Sequence, residues 1–238
     1  MDSHLQQGKD LIAQKVKQFA ANRAAYLAPA YKEAHARQEL IDPLFIALGW
    51  DVHNAERAAP DYREVNVEDA LDVEGQRKAP DYAFRVGRER KFFAEAKKPG
   101  VDLKADARPA YQLRRYAWTA KLPLSLLTDF EELAVYDCRS RPYEKDKPSV
   151  ARVNYYTYPE YPDRWQEIWD VFSREAVLQG SFDQYAQPPL TAHSPGPRRR
   201  APRSRPLCGC ISLFWPVGGR LWGTQAPGGR RCRSRMPN

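Results

Sequence analysis

Aspartate, glutamate and lysine are all missing from residues 188–238, which hold ten arginines, nine of the chain's 20 prolines and seven of its 13 glycines. With no helix or strand period, this tail is expected to be disordered. Its composition fits a frame-shifted translation of GC-rich DNA. The competing reading is a basic arm that grips phosphates. The formal charge of +8 belongs to the tail, because residues 1–187 carry 28 basic and 30 acidic residues. Whole-chain charge is therefore no argument for a nucleic-acid partner. Cysteine is scarce as well. Cys138 stands alone in the body, inside an apolar run, and is predicted to be a small core residue. Cys208, Cys210 and Cys232, with only His193 nearby, have poor zinc spacing. A reduced, cytoplasmic protein is the simplest expectation. No apolar run approaches the roughly eighteen residues of a membrane span. The polar N-terminus lacks the apolar core of a signal peptide, so no membrane partner is expected.

What is present reads as helices, then strands, then helix, strands and helix. Residues 5–35 suggest a long helix with a break near Pro29, and residues 33–49 a second one. In that second run Leu40, Ile41, Leu44, Phe45 and Leu48 recur at helical spacing, while Pro43 predicts a kink or a turn. Strands are expected over 63–73, 79–86 and 91–97, with a turn at Gly87–Arg90. A helix is expected over 107–121, strands in 122–129, 133–138 and 151–158, and a closing helix over 161–180. This order predicts a mixed sheet with helices on both faces.

Three charges stand out: Asp81 after Pro80, then Glu95 and Lys97 one hairpin later. Side chains alternate along a strand, so Glu95 and Lys97 share a face. A three-residue turn after Val86 pairs position 81 with 95 and a five-residue turn pairs it with 97. A four-residue turn sets Asp81 opposite Ala96 and separates the acids. A joint role for the two acids thus requires an odd turn or a bulge. Phosphodiester hydrolysis would use such a set. Two carboxylates suffice as protein ligands for Mg²⁺, with Mn²⁺ as a substitute. A nearby lysine orients water or offsets charge in the transition state. The alternative is a solvated strand face. Asp102-Leu-Lys104 has the same acid-x-lysine spacing but lies in a polar stretch.

The segments "RQELIDPLFIALGWDV", "APDYAF", "FFAEAKKP" and "YQLRRYAWTAKLPLSLLTDFEELAVYDCR" resemble the PD-(D/E)xK nuclease superfamily. More narrowly, they resemble the N-terminal endonuclease domain of type IIG restriction enzymes, which is related to the N-terminal domain of type I restriction R subunits. The resemblance runs from about Phe19 to Tyr185. It implies an α/β fold over residues 1–187, a restriction-endonuclease-like α/β/α core with a mixed sheet plus an N-terminal helix, followed by the tail 188–238. It implies that Asp81 and Glu95 bind Mg²⁺ and that Lys97 is the motif lysine. Gln112 and Tyr116 match a helix motif near the DNA or the site. Arg114 and Arg115, with Arg85, Lys98, Lys104 and Arg108, are candidate phosphate contacts.

Many relatives also place an acid on the first core helix, here Glu33 or Glu39. On a continuous α-helix Glu33 falls at the edge of the apolar face and Glu39 nearly opposite, which favours Glu33 with Arg37 as its partner. Type IIG enzymes continue into a methyltransferase and a target-recognition domain. This chain has neither an Asn-Pro-Pro-aromatic motif nor a Gly-rich cofactor loop, so it is expected to be the nuclease part of a truncated gene. The implied function is a Mg²⁺-dependent endonuclease of a restriction–modification system, acting on double-stranded DNA. The alternative is an inert remnant, or a docking module for a separate methyltransferase or specificity subunit.

Overall fold

A computed structural model describes residues 3–185. The expectations for 188–238, including the three tail cysteines, lie outside these residues. Helix α1 (Ser3–Tyr26) is followed by α2 (Glu33–Ala36), a π-helical turn (Arg37–Ile41) and α3 (Asp42–Ala47). Eight strands follow: β1 (Val65–Val67), β2 (Leu71–Val73), β3 (Gln76–Lys78), β4 (Tyr82–Val86), β5 (Glu89–Ala96), β6 (Leu124–Thr128), β7 (Glu132–Asp137) and β8 (Arg152–Thr157). Helix α4 (Ala107–Thr119) connects β5 to β6, and α5 (Tyr161–Phe172) and α6 (Arg174–Leu178) come last.

Six strands form one mixed sheet in the order β1-β4-β5-β6-β7-β8. All neighbours are antiparallel except β5 and β6, which α4 joins as a crossover. Alternation sorts the strand residues into two cores. Tyr82, Phe84, Phe92 and Leu126 pack with α1, α3 and α5 on one face. Ala83, Phe93 and Leu127 pack with Leu113 and Ala117 of α4 on the other. The α/β core with helices on both faces is as expected. Cys138 is a buried free thiol.

The boundaries differ in four places. The single strand expected over 63–73 is two strands, because Glu68 takes a positive φ of 56° and turns the chain. Strand β2 instead pairs with β3 across Glu74 and Gly75, whose φ angles of 55° and 78° give the twist a two-residue hairpin needs. Strand β3 is exposed and carries no apolar pattern, which hid it. The closing helix breaks at Ser173, whose Oγ caps α6 by accepting from the Ala176 amide. The fourth difference is the π turn. Pro43 has no N–H to offer the Glu39 carbonyl four residues back, and its ring crowds that group. The turn widens there, and Lys15 Nζ donates to the Glu39 carbonyl oxygen at 3.2 Å instead.

Candidate active site

The β4–β5 hairpin decides whether the two acids meet. Its turn is the two residues Gly87 and Arg88, with Val86 opposite Glu89. Gly87 has a φ of 59°. An unbroken ladder from that turn would place Asp81 opposite Ala94 and separate the acids. A bulge intervenes: Arg85 pairs with Arg90, but Phe84 pairs with Phe92, leaving Lys91 extra. The rings of Phe84 and Phe92 stack with centroids 4.2 Å apart, fully buried. Both must enter the same core, and the extra residue allows it. Continued one position past the Tyr82–Ala94 pair, the register sets Asp81 opposite Glu95. The bulge thus meets the condition set by strand alternation.

The resulting cluster is tight. Glu95 Oε1 accepts from Lys97 Nζ at 2.8 Å and from Gln112 Nε2, on α4, at 2.6 Å. Its other oxygen, Oε2, is buried without a hydrogen-bond partner. Asp81 Oδ2 accepts from the Ala96 amide at 2.8 Å. Asp81 Oδ1 faces Arg37 Nη1 at 3.5 Å. Lys97 Nζ also donates to the Ala96 carbonyl oxygen at 2.8 Å, and lies 3.9 Å from Glu33 and 4.0 Å from Asp81. One ammonium therefore stands among three carboxylates. Among the described residues, no three His, Cys, Asp or Glu side chains by themselves form a metal-binding group.

Electrostatics follows from this crowding. Burial, then the Asp81 charge, pushes the Glu95 carboxyl up to about 7, against the pull of Lys97. Burial also raises Glu33, opposed by Lys97 and aided by Asp81. For Lys97, burial works downward, but Glu95, Glu33 and Asp81 outweigh it and hold the ammonium above its usual value. Tyr116, one turn beyond Gln112, is raised by burial and then by the Glu95 charge.

The structure thus gathers Asp81, Glu95, Lys97, Glu33 and Gln112, with Tyr116 alongside. Glu39 turns away, toward the Tyr31 hydroxyl 3.4 Å off. Glu33 was favoured on the premise of a continuous α-helix, which the π turn breaks; the placement nonetheless singles out Glu33. Two expectations are corrected. Arg37 makes its ion pairs with Asp81 and Glu68, and its charge acts on Glu33 only at longer range. Arg114 is no phosphate contact in this fold: its side chain is 3% exposed and donates to Asp146 at 2.9 Å. Arg115 is engaged by Glu74 at 2.6 Å, and Arg85 by Asp69 at 2.6 Å. Arg108 remains on the surface beside Asp106. Lys104 lies 5.4 Å over the Tyr155 ring.

Comparison with known proteins adds one decisive match. The chain is 40% identical over 177 residues, 74% of its length, to the type II restriction enzyme and methyltransferase RM.Eco57I of Escherichia coli. The matched stretch is a type IIG restriction-enzyme-like region. The chain spans 18% of the length of that relative. No family model matches the chain, and no solved structure matches it. In this restriction-enzyme-like region, no helix among the described residues is long and apolar enough to cross a membrane.

Proposed function

We propose that this chain is a Mg²⁺-dependent DNA endonuclease region that hydrolyses phosphodiester bonds within a restriction–modification system. The observation that carries the reading is the hairpin bulge, which turns Asp81 and Glu95 to one face with Lys97 between them. The 40% identity to a restriction enzyme and methyltransferase supports it. The donor set fits a hard cation: the acids offer only oxygen, and Glu95 Oε2 is a buried acceptor with no partner. Asp81 through Oδ1 and Glu95 through Oε2 would hold it. Mg²⁺ keeps several waters, so two protein carboxylates are enough. When bound, such a cation supplies positive charge against the phosphate and acidifies a water.

The remaining work falls to the protein's own groups. Gln112 and Lys97 fix one oxygen of Glu95, which aims the other. The Ala96 amide does the same for Asp81. Lys97, held protonated by three carboxylates, serves as charge toward the phosphate oxygens rather than as a base. Glu33, with its raised pKa, assists by accepting a proton from water at Oε2. The partner is double-stranded DNA. A methyltransferase region, named in the relative, would act on the same sites. A second reading, an inert docking module, is favoured by one feature: Lys97 already neutralises Glu95 at 2.8 Å. Incubation with supercoiled plasmid and Mg²⁺ or Mn²⁺ separates the two. The nuclease reading expects nicking by the wild type and by Glu39→Ala, and loss of at least about a hundredfold in Asp81→Ala and Lys97→Ala. Equal nicking by wild type and both loss variants would overturn it, and no nicking at any protein concentration would favour the inert module.

A further inference from the structure

Arg37 has no role in the chemistry above, yet several features converge on it. It opens the π turn Arg37–Ile41, a widening of the helix that is frequent at functional sites. Its guanidinium lies 5.1 Å over the ring of Tyr82, which is 1% exposed. The Tyr82 hydroxyl donates to Asp42 Oδ1 at 2.6 Å, beneath the same turn. The guanidinium of Arg37 thus rests on a buried ring, while its side chain keeps 19% of its surface in solvent.

Its ion pairs are loose. Arg37 Nη1 lies 3.5 Å from Asp81 Oδ1 and 3.8 Å from Glu68 Oε1. Charge-assisted hydrogen bonds run at about 2.7–2.9 Å, as Arg85 and Arg114 show with their acids at 2.6 and 2.9 Å. Asp81 Oδ2 is already taken by the Ala96 amide. Oδ1 is the oxygen left for a cation, and it is the one Arg37 faces. A cation there competes with Arg37 for the same atom. The displaced fork would remain at the site beside Tyr82, and a guanidinium fork matches two phosphate oxygens.

We propose that Arg37 is a DNA-phosphate contact, held on Asp81 in the metal-free protein and released to the backbone of the bound strand when a cation takes that carboxylate. This rests on the nuclease reading. The charge of Arg37 opposes a cation on Asp81, so a phosphate contact and a mere support for Asp81 predict opposite signs.

The test uses the full chain. Mn²⁺ binding is measured by calorimetry, and binding to a mixed-sequence duplex is measured with Ca²⁺, an oxygen-seeking ion of equal charge. Arg37→Ala is expected to bind Mn²⁺ about threefold or more tighter. It should bind duplex about tenfold more weakly, with a salt slope shallower by about one. Arg37→Lys should keep the slope and lose part of the affinity. Weaker Mn²⁺ binding in parallel with weaker duplex binding would mean that Arg37 only supports Asp81, and would overturn the proposal. Unchanged duplex binding would overturn it too. If Arg37→Ala loses its cooperative melt, Arg37→Gln carries the same comparison. Wild-type protein that binds neither Mn²⁺ nor duplex would overturn the nuclease reading itself, and the proposal with it.

Discussion

Glu95 is the residue at which burial, charge and chemistry meet. It sits in a central strand, its side chain 3% exposed, with one oxygen shared by two donors and the other unpartnered. Its carboxyl, at about 7 rather than 4.5, binds a proton more tightly in the folded state than in the unfolded one. Its contribution to stability is therefore present at low pH and is lost as pH rises from about 4.5 to about 7. Glu95→Gln carries no such dependence. Its melting temperature should exceed that of the wild type by a margin that grows across this window, equivalent to about 2–3 kcal/mol above it. Cleavage should be lost in the same variant. Thermal melts from pH 4 to pH 8 check the sign, and a margin that shrinks with pH would contradict it. Gln112 tests the same atom from the other side. Gln112→Ala frees Glu95 Oε1 from one donor and should slow cleavage about tenfold or more, with the melting temperature changed by only a few degrees.

At the scale of elements, the hairpin and the first helices position the site. Deleting Lys91 removes the extra residue but leaves Phe84 opposite Phe92 and Asp81 opposite Glu95, now in an unbroken ladder. Cation binding should therefore survive the deletion, as it should in Lys91→Gly. Loss of cation binding in a deletion variant that still melts cooperatively would refute the role of this register. Helix α1 is held close to α3, since a Cβ on Gly8 would lie 2.2 Å from the Ala47 carbonyl oxygen. Gly8→Ala should lower stability by about 1–3 kcal/mol, read as a lower urea midpoint. These elements also mark what the sequence could reveal. Strand alternation made Glu95 and Lys97 neighbours and named the two hairpin geometries that would admit Asp81. It could not choose between them, because the choice rests on Phe84 stacking on Phe92 across the strands. Glu33 was legible as an edge residue of the helix. The partner of Arg37 was not, because the π turn reorients it and no heptad or capping pattern announces such a turn. Arg114 and Arg115 looked alike in sequence, and only the packing of α4 buries the first.

Across the whole molecule, charge is divided unevenly. The described body has no basic surplus, and the ten arginines of 188–238 carry the excess. Duplex binding by the full chain should therefore be strongly salt-dependent, and a chain ending at Gln187 should show a shallower slope of log affinity against log salt. Equal slopes would assign the phosphate contacts to the body.

In the proposed function, one bulged hairpin makes Asp81 and Glu95 a cation site. Calorimetric titration of the full chain with Mn²⁺ tests it most directly, with Asp81→Ala as the comparison. Saturable binding is expected in the wild type, with its loss in Asp81→Ala. Equal binding in both, or none in the wild type at millimolar Mn²⁺, would contradict it.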